Sequence, residues 1–187
     1  MSMRRRLLFT LPLLALAFLA VVFALGLSPN RDPRAIDSPL VGKPVAGFVA
    51  PALVDGQPGV AVGDLPTGAY TGQVVAINFF ASWCLPCRAE HPFLKKLAAE
   101  AGIPILGIAW KDKRKASQDF LDELGNPYFR VGTDENGRIG ITSFGITGVP
   151  ETFIIDKEGI IRARIPGPLS ADLIEAQLLP LIKGLQK

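Results

Sequence analysis

Length, composition and charge exclude several classes of protein. The chain has 187 residues and 49% of them are hydrophobic, which predicts one ordinary domain with a real core. Arg4, Arg5 and Arg6 account for the whole net charge of +3, because 20 basic residues face 17 acidic ones, so nucleic-acid binding is not expected. A small secreted domain held together by disulfides is also excluded, since the chain has only two cysteines.

The first predicted element is a membrane anchor. Residues 1–6 form a short basic segment, and residues 7–27 are an uncharged apolar run that would span about 31 Å as a helix, close to the thickness of a bilayer's hydrocarbon core. Arginines on the leading side favour the cytoplasm, so the rest of the chain is expected in the periplasm, anchored to the inner membrane. A cleavable signal peptide is the alternative, although residues 24–26 offer only a weak cleavage site.

A linker follows the predicted anchor. Residues 28–44 contain four prolines and mixed charges, which is typical of an extended tether. We place the linker at residues 28–39 and the folded domain at residues 40–187. Between residues 48 and 72, short strands and turns are expected, because helical periodicity is nearly absent there.

The middle of the chain alternates between strand and helix patterns. Residues 74–80 are almost continuously apolar, which predicts a central strand covered on both faces. A helix over residues 85–101, ended by Gly102, comes next. A second buried strand over residues 103–110 and an amphipathic helix over residues 113–124 complete the pattern. This alternation predicts a parallel sheet with helices packed against it.

The last third of the chain predicts an antiparallel addition to that sheet. Residues 151–156 and 160–165 are two short strands joined by a tight connection, as in a hairpin. A closing helix over residues 169–183 is expected to end at Gly184, with Pro180 as a site of kinking or shortening. The expected fold is therefore α/β, with a central mixed sheet flanked by helices and preceded by an N-terminal transmembrane helix.

Both cysteines stand in the sequence CLPC, residues 84–87, where the predicted central strand gives way to a helix. Two cysteines at this spacing can close a tight disulfide, and the unpaired N–H groups and dipole of the helix favour a thiolate at the first. Cys84 is therefore expected to be the exposed nucleophile, and Cys87 the thiol that resolves the mixed disulfide. An inert disulfide or a pair of buried thiols is the alternative.

No metal or cofactor site is expected. His91, the only histidine, falls on the same helical face as Cys84 and Cys87. No further cysteine or histidine remains to complete a zinc or copper site, and ligands from one helix converge poorly. We therefore interpret His91 as a packing residue of the helix.

Two segments together resemble the active site of the thioredoxin superfamily. They are FFASWCLPC at residues 79–87 and GVP at residues 148–150, which is similar to the cis-proline loop of that fold. Further segments are similar to the DsbE/CcmG group, the membrane-anchored thiol:disulfide interchange proteins of cytochrome c maturation: LVGKP at residues 40–44, CRAEHP at 87–92, GNPY at 125–128 and GVPETF at 148–153. The resemblance covers roughly residues 38–185.

The resemblance implies a thioredoxin-like fold and a periplasmic reductant. Its client would be apocytochrome c, or another maturation protein that carries the same disulfide, and a membrane protein would return electrons to it from cytoplasmic thioredoxin. Pro150 is expected to be cis, with the Val149 backbone opposite Cys84, where it pairs with an extended substrate segment. Trp83 belongs to the same substrate groove. The alternative for Pro150 is a trans proline in an ordinary turn.

Asn78 departs from generic thioredoxins, which carry a buried aspartate there to take up the proton of the resolving cysteine. An asparagine cannot act as that base. Glu90, one turn beyond Cys87, and Glu151, next to the expected cis bond, are candidates for a proton relay, and Glu151 is preferred. Each of the two acids is otherwise a solvated surface carboxylate.

These observations predict a membrane-tethered thiol:disulfide oxidoreductase that uses Cys84 and Cys87 to reduce disulfides during cytochrome c maturation. A first alternative is an oxidoreductase of the same fold with a different client. A second is a copper- or haem-handling module that uses the two cysteines as ligands.

Overall fold

The computed structural model describes residues 3–26, 38–61, 70 and 72–187. The chain divides into two compact units, Met1–Ile36 and Asp37–Lys187. In the first unit the described residues form helix α1 (Met3–Gly26), which covers nearly all of the predicted anchor. None of the helices formed by the described residues combines the length and hydropathy needed to cross a membrane. Most of the linker predicted at residues 28–39 lies outside the described residues.

The second unit is built around a mixed β-sheet. Its elements are, in chain order, β1 (Val49–Ala50), β2 (Val60–Ala61), β3 (Val75–Phe80), α2 (Leu85–Ala101), β4 (Ile105–Trp110), α3 (Arg114–Leu124), β5 (Arg130–Asp134), α4 (Arg138–Phe144), β6 (Glu151–Ile155), β7 (Ile161–Pro166), α5 (Ala171–Leu173), a π-helical segment (Ile174–Leu178) and α6 (Leu179–Gln186). In this part of the chain the strand order of the main sheet is β5-β4-β3-β6-β7.

The directions of the strands confirm the predicted mixed sheet. The pairs β3–β4 and β4–β5 are parallel, whereas β3–β6 and β6–β7 are antiparallel. Strands β1 and β2 form a separate antiparallel pair in the segment where short strands were expected. The apolar pattern placed β3 correctly at the centre, since all of its residues are buried.

The two faces of β3 pack against different groups of buried side chains. Ala76 and Phe80 face the cluster that includes apolar residues of α2 and α6. Val75, Ile77 and Phe79 belong to the cluster on the other face. Because side chains alternate along a strand, Asn78 points to the same face as Phe80, where α2 lies. This alternation carries a polar side chain from the central strand into contact with the first helix of the domain.

Strand β5 and helix α4 were missed in the sequence. Strand β5 has the sequence RVGTD, in which Val131 alone is a large apolar residue, and the strand is buried by pairing with β4. Helix α4 is only seven residues long, and the glycines on either side of it, Gly137 and Gly145, both have positive φ. Such a short helix leaves too little periodicity to recognise.

The closing helix differs from its prediction in two ways. Gly184 does not end it, because α6 continues to Gln186. A glycine inside a helix costs about 1 kcal/mol relative to alanine, and the buried Ile182 of the same helix offsets that cost. Upstream of Pro180 the helix widens into the π-helical segment, Ile174–Leu178, rather than continuing as a regular α-helix. A proline cannot donate to the preceding turn, which is a common reason for such a local change.

Candidate active site

Cys84 lies at the junction between β3 and α2. It is the N-cap residue of α2, with an extended backbone, and its Sγ accepts the Cys87 N–H at 3.1 Å. Cys84 and Cys87 form a disulfide. An N–H group at the first turn of a helix is one of those without an intrahelical partner, so the sulfur satisfies it. The prediction that Cys84 lies at a helix N-terminus is confirmed.

The exposure expected for Cys84 is wrong in this disulfide form. Only 4% of Cys84 and 1% of Cys87 is exposed. The disulfide turns the Cys84 Sγ towards the buried Cys87, and the Val149 carbonyl oxygen lies 3.5 Å from the same sulfur. The chain neighbours of Cys84, Trp83 and Leu85, are 59% and 76% exposed, so accessible apolar side chains flank the buried cysteine.

The loop that precedes β6 forms the opposite side of the site. The Val149–Pro150 peptide bond is cis, which confirms the expectation for Pro150. The contact between the Val149 carbonyl and the Cys84 sulfur shows that the backbone of this loop faces the disulfide. After the cis bond, the Gly167 N–H donates to the Pro150 carbonyl at 3.0 Å, which ties the loop to the end of β7.

Trp83 and the residue before it are held by the turn that follows β4. The Trp83 indole N–H donates to the Lys111 carbonyl at 3.1 Å. The buried carboxylate of Asp112 accepts the Ser82 N–H at 2.7 Å and the Ser82 hydroxyl at 2.9 Å, and the Ser117 hydroxyl donates to it at 2.7 Å. Sequence reasoning missed Asp112, because its partner Ser82 lies 30 residues away in the chain.

Glu90 is completely buried and belongs to a polar network next to the first turn of α2, which carries Cys87. Its carboxylate accepts the Leu169 N–H at 2.9 Å and the Asn78 side-chain amide at 3.0 Å. Burial raises the pKa of Glu90 from 4.5 to about 7, against the opposing effect of these two hydrogen bonds. The alternative of a solvated surface carboxylate is therefore wrong for Glu90. Its carboxyl can release and take up a proton near neutral pH.

Asn78 organises the rest of this network. The Tyr128 hydroxyl donates to the Asn78 carbonyl oxygen at 2.7 Å, and the Asn78 amide also donates to the Thr152 hydroxyl at 3.0 Å. Gly107 is the β4 neighbour of Asn78, and a Cβ there would lie 2.8 Å from the Tyr128 ring. Glycine at this position therefore leaves the space in which Tyr128 reaches Asn78. Tyr128 and Thr152 had no assigned role in the sequence, and GNPY was noted only as a family motif.

Glu151 has a different environment. It is 3% exposed, so the surface alternative is wrong here too, and its carboxylate pairs with the Arg164 guanidinium. Burial raises the pKa of Glu151, while the hydrogen bond and the charge of Arg164 oppose that rise. A carboxylate committed to an arginine is less available to relay a proton than Glu90. The geometry favours Glu90 over the acid that the sequence analysis preferred.

His91 packs inside the domain, as interpreted from the sequence. It is 2% exposed, its Nε2 lies 2.5 Å from the Gly125 carbonyl oxygen, and its ring meets Phe120 edge-on. Burial lowers the pKa of His91. No group of three or more histidine, cysteine, aspartate or glutamate side chains converges as a metal site within the described residues. The absence of a metal and of a cofactor stays a prediction.

Known proteins resemble the chain over most of its length. The family model described as Redoxin matches residues 50–178. The chain is 39% identical to the thiol:disulfide interchange protein DsbE of Yersinia pestis, over 94% of this chain and 92% of that protein. It is 40% identical to the thiol:disulfide interchange protein HelX of Rhodobacter capsulatus, over 93% of this chain and 94% of that protein.

Solved structures of thiol-disulfide exchange proteins also resemble the chain. A thiol:disulfide interchange protein of the thioredoxin family from Chlorobium tepidum superposes with a TM-score of 0.59 at 26% identity, over 81% of this chain and 99% of that chain. A secreted thiol-disulfide isomerase from Corynebacterium glutamicum superposes with a TM-score of 0.62 at 25% identity, over 74% of this chain and 85% of that chain. The fold is thioredoxin-like, and with its Cys84–Cys87 disulfide the protein is a disulfide oxidoreductase of the redoxin family, a member of the DsbE/HelX group of thiol:disulfide interchange proteins.

Proposed function

We propose that this oxidoreductase works as a reductant of protein disulfides in cytochrome c maturation. The observation that carries the proposal is the position of the Cys84 sulfur, which caps α2 on one side and faces the Val149 carbonyl on the other. The helix N–H that points at this sulfur stabilises a thiolate more than a thiol. The backbone of the half-buried Val149 beside the sulfur suits a client that binds as an extended segment.

The exchange proceeds in two displacements. The Cys84 thiolate attacks one sulfur of the client disulfide, which forms a mixed disulfide and releases the first client thiolate. The Cys87 thiolate then attacks the Cys84 sulfur, which closes the Cys84–Cys87 disulfide and releases the second client thiolate. Two electrons pass from this protein to the client, and each released thiolate takes up a proton. A dithiol donor must afterwards reduce the disulfide again, and we assign that step to a membrane thiol reductant.

Glu90 supplies the proton acceptor that the second displacement needs. Cys87 must lose its proton before it can attack, and Glu90 lies one turn further along the same helix. A carboxyl with a pKa of about 7 accepts that proton near neutral pH and returns it afterwards. Asn78 holds the carboxyl in place by a hydrogen bond but carries no titratable proton itself.

Apocytochrome c, or a maturation protein that carries its disulfide, is the proposed client. This assignment rests on the resemblance of the segments around residues 87–92 and 148–153 to the cytochrome c maturation group, together with the kinship to DsbE and HelX. The periplasm and the inner membrane are the proposed location. The basic start and the uncharged run of residues 7–27 support a tether there.

Trapping the client by a Cys87→Ser variant of the full chain tests the proposal. Attack by Cys84 still occurs in this variant and resolution does not, so a mixed disulfide should accumulate and be recovered from cells under non-reducing conditions. The double variant Cys84→Ser/Cys87→Ser is the matched control and should trap nothing. Recovery of apocytochrome c or a maturation protein supports the client. Recovery of unrelated periplasmic proteins alone would favour an oxidoreductase with another client, and no adduct at all would refute the exchange mechanism.

A further inference from the structure

Arg164 of β7 joins both ends of the loop that carries the cis proline. Its Nε donates to the Glu151 carboxylate, immediately after the cis bond, and its Nη2 donates to the Gly145 carbonyl at 3.1 Å, where the loop begins. Its Nη1 lies 3.4 Å from the Ser38 hydroxyl. The Arg164 side chain is only 14% exposed. One guanidinium thus bridges the six-residue loop 145–150, from its first residue, Gly145, to Glu151, the first residue of β6.

The part of the loop nearest the sulfur makes few backbone hydrogen bonds of its own. At its start, Ile146 is buried and its N–H donates to the Gly140 carbonyl at 3.0 Å. Among the described residues, no backbone–backbone hydrogen bond holds Thr147, Gly148 or Val149. The position of the Val149 carbonyl therefore depends on how the two ends of the loop are fixed and on the packing of the Val149 side chain against the core.

We propose that Arg164 is a positioning residue for exchange with protein disulfides: by binding the Gly145 carbonyl and the Glu151 carboxylate together, it fixes the backbone edge at Val149 on which an extended client segment docks. This role rests on the proposed function, because it concerns how the client is held. A small disulfide has no chain to pair with that edge. Loss of the bridge should therefore slow exchange with a peptide disulfide and spare exchange with a small one.

An arginine is needed for this bridge because of its shape. The guanidinium is a planar fork with five N–H donors, so it can serve a carboxylate and a carbonyl at once, whereas lysine offers a single point charge. The fork also lies over Phe153, with its central carbon 5.9 Å from the ring centre. A lysine at this position keeps the charge next to Glu151 but cannot reproduce the two-sided contact.

The same strand provides a matched control. Arg162, two positions earlier on β7, also pairs through its Nε with a buried acid, Asp156, which is 3% exposed. Asp156 stands at the turn between β6 and β7, where its carboxylate also accepts the N–H groups of Glu158 and Ile160. Replacing Arg162 by lysine therefore disturbs an arginine–carboxylate pair of the same strand, with a more exposed arginine (43%), without touching the cis-proline loop.

The test compares Arg164→Lys, Arg162→Lys and the wild-type chain in the reduced state. The second-order rate of exchange is measured with an extended peptide that contains one disulfide and with 2-hydroxyethyl disulfide. Arg164→Lys should lower the peptide rate by about tenfold, the effect of losing one or two hydrogen bonds, and change the small-disulfide rate by less than about twofold. Arg162→Lys should match the wild type with both disulfides. The equilibrium with glutathione, which reports the reduction potential, should be the same in all three.

A second variant guards against failure to fold. Removing Arg164 alone leaves Glu151 buried without its cation, so Arg164→Met/Glu151→Gln removes both charges together. This double variant still lacks the bond to Gly145 and should show the same selective loss. Unchanged peptide exchange in both variants, or equal loss with both disulfides, would overturn the positioning role. A wild-type protein that reduces neither disulfide would instead overturn the proposed function, and the role with it.

Discussion

Replacing Glu90 with glutamine tests whether the buried carboxyl is neutral in the folded protein. Burial raises the pKa of Glu90 from 4.5 to about 7 in the folded state. The unfolded chain exposes the group, which then ionises at its ordinary pKa. Between these two values the folded protein holds a proton that the unfolded chain has released, so the free energy of unfolding falls as the pH rises through this window.

The structure sets the size of this effect. One pKa unit corresponds to about 1.4 kcal/mol, so ionising Glu90 costs the folded wild type about 3 kcal/mol once the pH has passed both values. The glutamine variant cannot ionise and does not lose this stability. Urea unfolding of the oxidised wild type and variant at a series of pH values measures this difference in the free energy of unfolding. Between about pH 4.5 and pH 8, the free energy of unfolding should shift by about 3 kcal/mol in favour of Glu90→Gln.

A control variant on the same helix separates this effect from the general loss of an acid. Glu100→Gln removes a carboxylate whose side chain is 43% exposed, and it should follow the wild-type curve. Parallel pH curves for Glu90→Gln and the wild type would refute the reasoning, because they would show that the carboxyl ionises as easily in the folded protein as in the unfolded chain. The proton-acceptor role of Glu90 would then lose its physical basis.

Three further predictions concern the surroundings of the cysteines. Asp112→Ala should lower the free energy of unfolding by about 2–3 kcal/mol in urea titrations, because it leaves the Ser82 N–H and the Ser117 hydroxyl without their acceptor. Tyr128→Phe should cost about 1–2 kcal/mol in the same assay, since it removes the donor to Asn78. The thiolate of Cys84 in the reduced protein should form below the ordinary pKa of about 8.5, as measured by the pH dependence of its alkylation; an ordinary value would contradict the helix-terminus argument.

Elements with strong patterns of their own were predictable from the sequence. Helix α2 was placed at residues 85–101 as observed, because a cysteine cap begins it and Gly102 ends it. Strand β5 and helix α4 were not predictable, because their burial comes from neighbours in space. The Cβ of Ala50, far away in the chain, lies only 2.5 Å from where a Cβ at Gly132 of β5 would stand.

The candidate site also contains residues that the sequence predicted and residues whose environment depends on distant parts of the chain. The CLPC motif identified Cys84 and Cys87 by composition and spacing, whereas the cis form of Pro150 required a resemblance to a known fold, since isolated sequences favour trans. The environment of Glu90 could not be foreseen, because its partner Leu169 lies 79 residues away. Burial and pairing of this kind emerge only when distant segments pack together. For the same reason, the sequence favoured Glu151, whose pairing with Arg164 makes it less available for a proton relay than Glu90.

The hydrogen bond between Asn78 and Glu90 limits which substitutions could move the buried carboxyl group from α2 to β3. An Asn78→Asp substitution, which would restore the arrangement of generic thioredoxins, would set two carboxyls about as close as the present contact of 3.0 Å. Two such groups would share one proton and titrate as a coupled pair. A variant that places the acid at position 78 must therefore also replace Glu90 by a neutral residue. An acid on the strand and an acid on the helix thus exclude each other at this site.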